Sequence, residues 1–126
     1  MKVAVSADGK DLDARADMRF GRAACFVVCD TGSGEWTAID NGATAAAHGA
    51  GVRAAQTVID SGAKAVITGN IGPNAMEVLT AAGISIYAGD ERTVGELLEA
   101  YKSGSLPPLA EPRPKHFGLG RGSGRG

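Results

Sequence analysis

Two glycine-rich segments each lie directly before a predicted helix. Gly49-Ala50-Gly51 leads into one apolar helical pattern, and residues 69–74, Gly-Asn-Ile-Gly-Pro-Asn, lead into the next. A helix N-terminus carries unpaired N–H groups and a partial positive charge, and glycine lets an anion approach them closely. Arg19 and Arg22 precede both segments and can add charge-assisted hydrogen bonds. Together these residues predict a site for a multiply charged anion; the alternative is that the glycines only form turns.

Common nucleotide-binding and catalytic motifs do not fit these segments. Residues 49–54 match GxGxx(G/A), but no continuous strand immediately precedes them and no clear ribose-binding acid follows about 20 residues later. The loop at 69–74 lacks the Gly-Lys-Ser/Thr ending of a Walker motif. The strand before it ends in Thr68-Gly69-Asn70, without the acid that a two-metal nuclease needs. No Ser/His/Asp or Cys/His pairing can be assembled, so we expect binding rather than catalysis.

Two side chains are candidates for coordinating a metal. His48 comes one residue before Gly49. Cys25 lies near the start of the predicted strand 24–29, at the edge of the sheet where the glycine-rich segments are also expected. A closed zinc site needs four ligands, so one His and one Cys would supply at most a labile bond. The alternatives are a surface or capping histidine and a buried, packing cysteine. Cys29 lies about 13 Å farther along the same strand, too far for a disulfide, and is expected to be structural.

The elements that must position these groups follow from hydrophobic periodicity. Short apolar or alternating runs predict five strands, and helical spacing of apolar residues predicts three helices. The predicted strands are residues 3–5, 24–29, 35–40, 65–68 and 84–87. The predicted helices run from about Gly51 to before Gly62, from Pro73 to before Gly83, and from Thr93 to before Gly104. The Gly-rich turn at 30–34 makes strands two and three an antiparallel hairpin. The predicted order is β-β-β-α-β-α-β-α.

This order places the candidate residues at one edge of the sheet. Strands joined by crossover helices run parallel with right-handed connections. If the first strand points up, the second points down and the third, fourth and fifth point up. Loops 7–22, 41–50, 69–74 and 88–92 then meet at the upper edge, where open α/β sheets bind ligands. The polar, Asp-rich stretch within the first of these loops is expected to be solvated.

Composition supports one small domain with a separate tail. The chain has 126 residues, 44% of them hydrophobic and 5% aromatic, so its core must consist of small and aliphatic side chains. Residues 105–126 are rich in Pro and Gly and carry a net positive charge, which predicts a disordered basic tail after a domain at 1–104. The net charge of −1 argues against a nucleic-acid partner. No apolar run approaches the roughly 20 residues of a membrane span, and we expect a cytoplasmic monomer.

Four blocks of the sequence resemble the dinitrogenase iron–molybdenum cofactor biosynthesis family. They lie in order between Met1 and Tyr101 and are Arg19-Phe20-Gly21-Arg22-Ala23, Gly49-Ala50-Gly51 with Ala54-Ala55-Gln56, Val66 through Ala75, and Ala82 through Tyr87. The Thr-Gly-x-x-Gly-Pro-Asn-Ala block is the most specific of them. The resemblance implies a ribonuclease-H-like α/β fold with a five-stranded mixed sheet flanked by helices. It also implies a carrier that takes a preformed anionic metal–sulfur cluster, iron–molybdenum or another molybdenum-containing sulfide, from a donor protein to an acceptor protein.

The expected cofactor-binding residues come from these blocks and from the other loops at the upper edge. They are Arg19, Phe20, Gly21, Arg22, Asn41, Gly49, Gly51, Gly69, Asn70, Gly72, Pro73 and Asn74, with His48 and Cys25 as candidate metal ligands. A metal–sulfide cluster is a polyanion that backbone N–H groups and arginine hold without covalent thiolates, which leaves it free to be released. The alternative function is a small regulatory or protein-interaction domain that binds an anionic metabolite or no ligand.

Overall fold

The computed structural model describes residues 1–42 and 49–110 of the chain. Its strands are β1 (Lys2–Ala7), β2 (Cys25–Asp30), β3 (Trp36–Asp40), β4 (Ala65–Thr68), β5 (Ser85–Ala88) and β6 (Pro108–Ala110). Its helices are α1 (Ala50–Asp60), α2 (Pro73–Ala81) and α3 (Val94–Lys102), with a short 3₁₀ helix at Phe20–Arg22. The predicted order of strands and helices is confirmed as far as α3. Among these helices, none has the length and apolar composition that a bilayer crossing requires.

All six strands form one mixed sheet in the order β3-β2-β1-β4-β5-β6. β1 pairs antiparallel with β2 and parallel with β4, β2 pairs antiparallel with β3, and β4 pairs parallel with β5. These pairings confirm the predicted strand directions and the parallel crossovers. A mixed α/β sheet flanked by helices is thereby confirmed, whereas the ribonuclease-H-like assignment stays a prediction.

The expected count of five strands is wrong, because a sixth strand follows α3. β6 pairs antiparallel with the outer edge of β5. Just before it, Leu106 is buried and the Ala88 N–H donates to Pro107 O at 2.8 Å. The two consecutive prolines that predict a chain break are tolerated here because an edge strand can lack an N–H without losing a ladder bond. Pro108–Ala110 therefore belong to the sheet and residues 105–107 lead into it, whereas residues 111–126 of the predicted tail lie outside the described residues.

The sheet separates two apolar layers. Val3 and Val5 of β1 face the layer covered by α3, whereas Ala4 between them faces the layer covered by α1 and α2. The central strands are buried on both faces, which explains why they appear in the sequence as nearly continuous apolar runs. The N-termini of α1 and α2 lie on the same face of the sheet, at the edge where β1 and β4 end.

Candidate functional site

The segment from Ala16 to Arg22 crosses the upper edge of the sheet, next to the ends of β1 and β4. Its start is fixed to β1, because the Asp17 N–H donates to Ser6 O at 2.9 Å and Ser6 Oγ donates to Asp17 O at 2.6 Å. Ser6 Oγ also lies 2.8 Å from Thr68 Oγ1 at the end of β4. Both hydroxyl residues are fully buried. This network ties the crossing segment to two adjacent strands.

The middle of this segment runs beside the loop that precedes α2. The Phe20 N–H donates to Asn70 O at 3.0 Å, and the Asn70 N–H donates to Met18 O. Phe20 is buried in the layer beneath α1 and α2, where its ring centroid lies 5.3 Å from that of Phe26. The Phe20 side chain, predicted to bind the ligand, is therefore an anchor that places its neighbours next to the start of α2.

Three backbone segments meet at Gly51, in the first turn of α1. A Cβ built on Gly21 would lie 3.1 Å from Gly51 N and 3.2 Å from Gly51 Cα. A Cβ built on Gly51 would lie 3.3 Å from the Cβ of Ala75, in the first turn of α2. Glycine at these two positions lets the 3₁₀ helix, α1 and α2 approach one another closely. The three segments predicted from the sequence thus come together in one place.

In the described part of the chain, neither α1 nor α2 has a side-chain cap at its N-terminus. Their N-cap residues are Gly49 and Gly72, no acidic residue lies in either first turn, and Pro73 occupies the first position of α2. By contrast, α3 closes its own N-terminus: the Glu96 N–H donates to the Thr93 hydroxyl at 3.2 Å, and the Thr93 N–H donates to the Glu96 carboxylate at 2.9 Å. The first-turn N–H groups of α1 and α2 have no partner within their helices and are the donors that an anion would use.

The glycines at these helix starts differ in their surroundings. A Cβ on Gly69 would lie 2.6 Å from Met18 Sδ and 2.8 Å from Met18 Cβ, so packing requires glycine there. A Cβ on Gly72 would meet nothing within 4 Å, and the φ of −75° at Gly72 suits any residue. Gly49 also has open space and adopts φ +71°, a left-handed conformation that favours glycine. Among residues 1–42 and 49–110, therefore, nothing fills the space next to either of these two N-cap glycines.

Both predicted arginines lie at this edge, and Arg19 is paired with Asp17. Arg19 Nε donates to Asp17 Oδ1 at 3.1 Å, and Nη2 donates to Oδ2 at 2.9 Å. These hydrogen bonds hold the pKa of Asp17 below its ordinary value and the pKa of Arg19 above its own. Arg22 ends the 3₁₀ helix and is exposed. Arg19 thus already has an anionic partner within the chain.

Asn41 positions the 3₁₀ helix. Its buried side-chain amide donates to Ala23 O at 2.9 Å and to Gly21 O at 3.4 Å. These bonds tie the end of β3 to the segment between the 3₁₀ helix and β2. Asn70 and Asn74, in contrast, are exposed at the start of α2. Of the three asparagines predicted to bind the ligand, Asn41 therefore has a clear structural role.

The structure separates Cys25 from the meeting point at Gly51. Cys25 is buried in the layer covered by α3, and its Sγ donates to Gly9 O at 3.1 Å. Burial raises the pKa of the Cys25 thiol, which disfavours the thiolate that a metal would bind. Cys25 and Cys29 are both free, and His48 lies outside the described residues. Within residues 1–42 and 49–110, no group of three or more His, Cys, Asp or Glu side chains could hold a metal ion.

Comparison with known proteins identifies the family. A family model described as dinitrogenase iron–molybdenum cofactor matches residues 1–104. The chain belongs to this family. The apo orange protein from Desulfovibrio gigas has a similar structure, with a TM-score of 0.84, 41% sequence identity and coverage of 90% of this chain and 96% of that chain. An NMR structure of a NifB candidate from Thermotoga has a TM-score of 0.77 and 36% identity, and covers 90% of this chain and 97% of that chain. An uncharacterised protein of Methanocaldococcus jannaschii is 30% identical over 109 residues, which are 84% of this chain and 89% of that protein.

Four residues that shape this member of the dinitrogenase iron–molybdenum cofactor family lie outside the set predicted from the sequence. They are Ser6, Asp17, Met18 and Thr68. Polar residues at the ends of apolar strands are a signal for Ser6 and Thr68. The two-residue spacing of an acid and a base is the signal for Asp17 with Arg19, because an Asp side chain commonly accepts the N–H two residues later, as Asp17 does here. The Asp-rich loop is expected to be solvated, so its sequence does not identify this pair.

Proposed function

We propose that this domain binds a preformed anionic metal–sulfur cluster and carries it between proteins without catalysing a reaction on it. The observation that carries the proposal is the convergence of the 3₁₀ helix with the N-termini of α1 and α2, whose N-cap residues are both glycines. Membership of the dinitrogenase iron–molybdenum cofactor family supports a molybdenum-containing sulfide, with or without iron, as the cargo.

The chemistry of the site suits a polyanion with sulfide edges. Two helix N-termini supply N–H donors and partial positive charge, and no described residue blocks the approach of an anion at Gly49 or Gly72. Arg19 and Arg22 add charge-assisted hydrogen bonds. His48 could contribute one labile bond to the metal. Because hydrogen bonds do not replace the metal–sulfur bonds of the cargo, the cluster can leave intact.

A carrier needs a donor protein and an acceptor protein. We propose that both approach the upper edge, where the starts of α1 and α2 are exposed at Gly49, Gly72 and Pro73. We also propose that the domain acts as a monomer, since all residues of the proposed site belong to one chain.

Native protein purified without oxygen gives the direct test. Elemental analysis and visible spectroscopy should find molybdenum and sulfide in a coloured protein. For affinity, tetrathiomolybdate, a soluble molybdenum–sulfide dianion, is titrated into the apo protein, with molybdate as the sulfur-free control. Saturable tetrathiomolybdate binding that weakens with salt supports the proposal, because the site is open to solvent. Orthophosphate binding of equal strength would instead indicate a site for an anionic metabolite.

Variants locate the binding site. Gly72→Val fills the open space and Arg22→Gln removes a charge, and each should weaken binding by about ten- to a hundredfold, the range for losing a hydrogen bond to a charged group. Ala82→Val, at the other end of α2, is the matched control and should bind as the wild type does. Loss of binding in His48→Ala alone would show that a coordinate bond dominates. If all these variants fold and bind normally, the upper edge is not the site.

A further inference from the structure

The Asp17 carboxylate already forms an ion pair with Arg19, whose guanidinium is part of the proposed cluster site. Arg19 binds it through two side-chain hydrogen bonds, from Nε at 3.1 Å and from Nη2 at 2.9 Å. The Asp17 side chain is 9% exposed, whereas the Arg19 side chain is 67% exposed. The carboxylate is therefore the sheltered partner, and the guanidinium is the partner that an external anion can reach.

Asp17 is held in place from several directions. Its N–H and C=O bond to Ser6 at 2.9 and 2.6 Å, and Ser6 Oγ is in turn 2.8 Å from Thr68 Oγ1. Its Oδ1 also accepts the Arg19 backbone N–H at 2.9 Å. Because the Asp17 backbone is bonded to the carbonyl and the hydroxyl of Ser6, and its carboxylate also accepts the Arg19 N–H, the carboxylate is held beside the guanidinium. The anion must share Arg19 with it or displace it.

The surroundings of the pair do not favour anions. Arg19 lies beside Asn70, which leads into α2. Asp17 and Arg19 also line a cleft of about 430 Å³ whose other charged residues are Asp8, Arg15 and Glu91. The cleft thus contains three acids and two arginines. Arg19 therefore attracts an anion less strongly than an unpaired arginine at the same position would.

We propose that Asp17 sets the affinity of the site by acting as an internal anion that competes with the cluster for Arg19. The inference rests on the proposed function and deepens it. A carrier has to release its cargo, and an acid fixed on the binding arginine keeps the bound state from becoming too stable. Asp17 acts through Arg19 and is a positioning residue, not a ligand of the cluster.

Titration of tetrathiomolybdate into the full-length apo protein at fixed ionic strength tests this. Asp17→Asn preserves the shape of the side chain and an oxygen for the Arg19 N–H, but removes the charge. We expect it to bind about three- to tenfold more tightly, the effect of freeing one charged donor group in a solvent-exposed setting. Arg19→Gln should bind about tenfold more weakly. Thermal melting of each variant, measured in parallel, verifies that it is folded.

A double variant separates competition for Arg19 from simple charge repulsion. In the Arg19→Gln background, Asp17→Asn should change the affinity by less than about twofold, because its partner is gone. The ¹⁵N signal of Arg19 Nε should shift in Asp17→Asn and, in the wild type, on adding tetrathiomolybdate. Asp90→Asn is the matched control, because Asp90 also pairs with an arginine two residues later: Arg92 Nε lies 2.9 Å from Asp90 Oδ1, in the loop before α3. It should leave the affinity unchanged.

The outcomes distinguish this inference from the proposed function. Wild-type affinity in Asp17→Asn, or an equal gain when Arg19 is already Gln, overturns the inference and leaves the proposed function standing. No saturable binding in either the wild type or Asp17→Asn overturns the proposed function and the inference with it. Binding that is measurable only in Asp17→Asn supports both.

Discussion

Two glycines in the loop before α2 should respond very differently to the same substitution. Gly69→Ala places a methyl group 2.6 Å from Met18 Sδ, 2.8 Å from Met18 Cβ and 3.1 Å from Met18 O. The sulfur could move, but the Cβ and the carbonyl belong to a segment fixed on both sides, since Asp17 bonds to Ser6 and the Asn70 N–H bonds to Met18 O. Gly72→Ala places its methyl group in open space with an ordinary φ.

The expected costs follow from these surroundings. Overpacking at Gly69 should lower the free energy of unfolding by about 1–3 kcal/mol. In a domain of this size each kcal/mol lowers the Tm by about 4–8 °C. For Gly72→Ala the free energy of unfolding should change by less than about 1 kcal/mol, because restricting the unfolded chain offsets the loss of a favourable N-cap residue.

Urea denaturation followed by circular dichroism measures both variants under identical conditions. The m-value should stay constant, so that a shifted midpoint reports stability alone. Equal stability of Gly69→Ala and Gly72→Ala would refute the reasoning, because it would show that Met18 does not press on Gly69. Tetrathiomolybdate binding then separates the roles further: the larger Gly72→Val should lose affinity while keeping its stability.

Three further predictions concern other parts of the domain. Leu106→Ala should lower the free energy of unfolding by about 2–3 kcal/mol in the same urea assay, whereas Leu109→Ala, whose side chain is exposed, should change it by less than about 0.5 kcal/mol. The Arg19 guanidinium holds the pKa of Asp17 below its usual range. The ionised Asp17 side chain therefore stabilises the fold above its unfolded-state pKa of about 4, and this stabilisation is lost as the pH falls through its folded-state pKa. The acid-induced loss of stability should be smaller in Asp17→Asn. Burial raises the pKa of the Cys25 thiol, so alkylation at neutral pH should be slow in the native protein and fast in urea.

The parts of the fold that depend on local periodicity could be predicted from the sequence. Val66-Ile67 lies in a strand because it is apolar on both faces, and Pro73 begins a helix because its missing N–H costs nothing there. β6 could not be predicted in this way, because two consecutive prolines ordinarily end regular structure. Its formation depends on the free edge of β5 and on the space that Leu106 fills, and both exist only in the folded sheet.

The candidate site could likewise be predicted from the sequence only in part. The glycines of the upper edge could be located from the sequence, but not their reasons: Gly69 makes room for Met18, Gly51 makes room for Ala75, and Gly72 borders open space. A Cβ clash depends on a residue distant in sequence, so it cannot be inferred from the local pattern. The role of Asp17 could not be predicted either, because its local sequence resembles an ordinary solvated loop.

The α-helices that the structure describes differ in how their N-termini are capped, and the difference bears on the proposed function. A helix start surrounded by its own capping groups, as at Thr93 and Glu96, has little need of an external anion. Gly49 and Gly72 offer no side chain to do the same for α1 and α2. The chain does supply an anion at this edge, but Asp17 is directed to Arg19 and not to either helix start. In the proposed function, attraction at the helix ends binds the cluster, and competition for Arg19 allows its release.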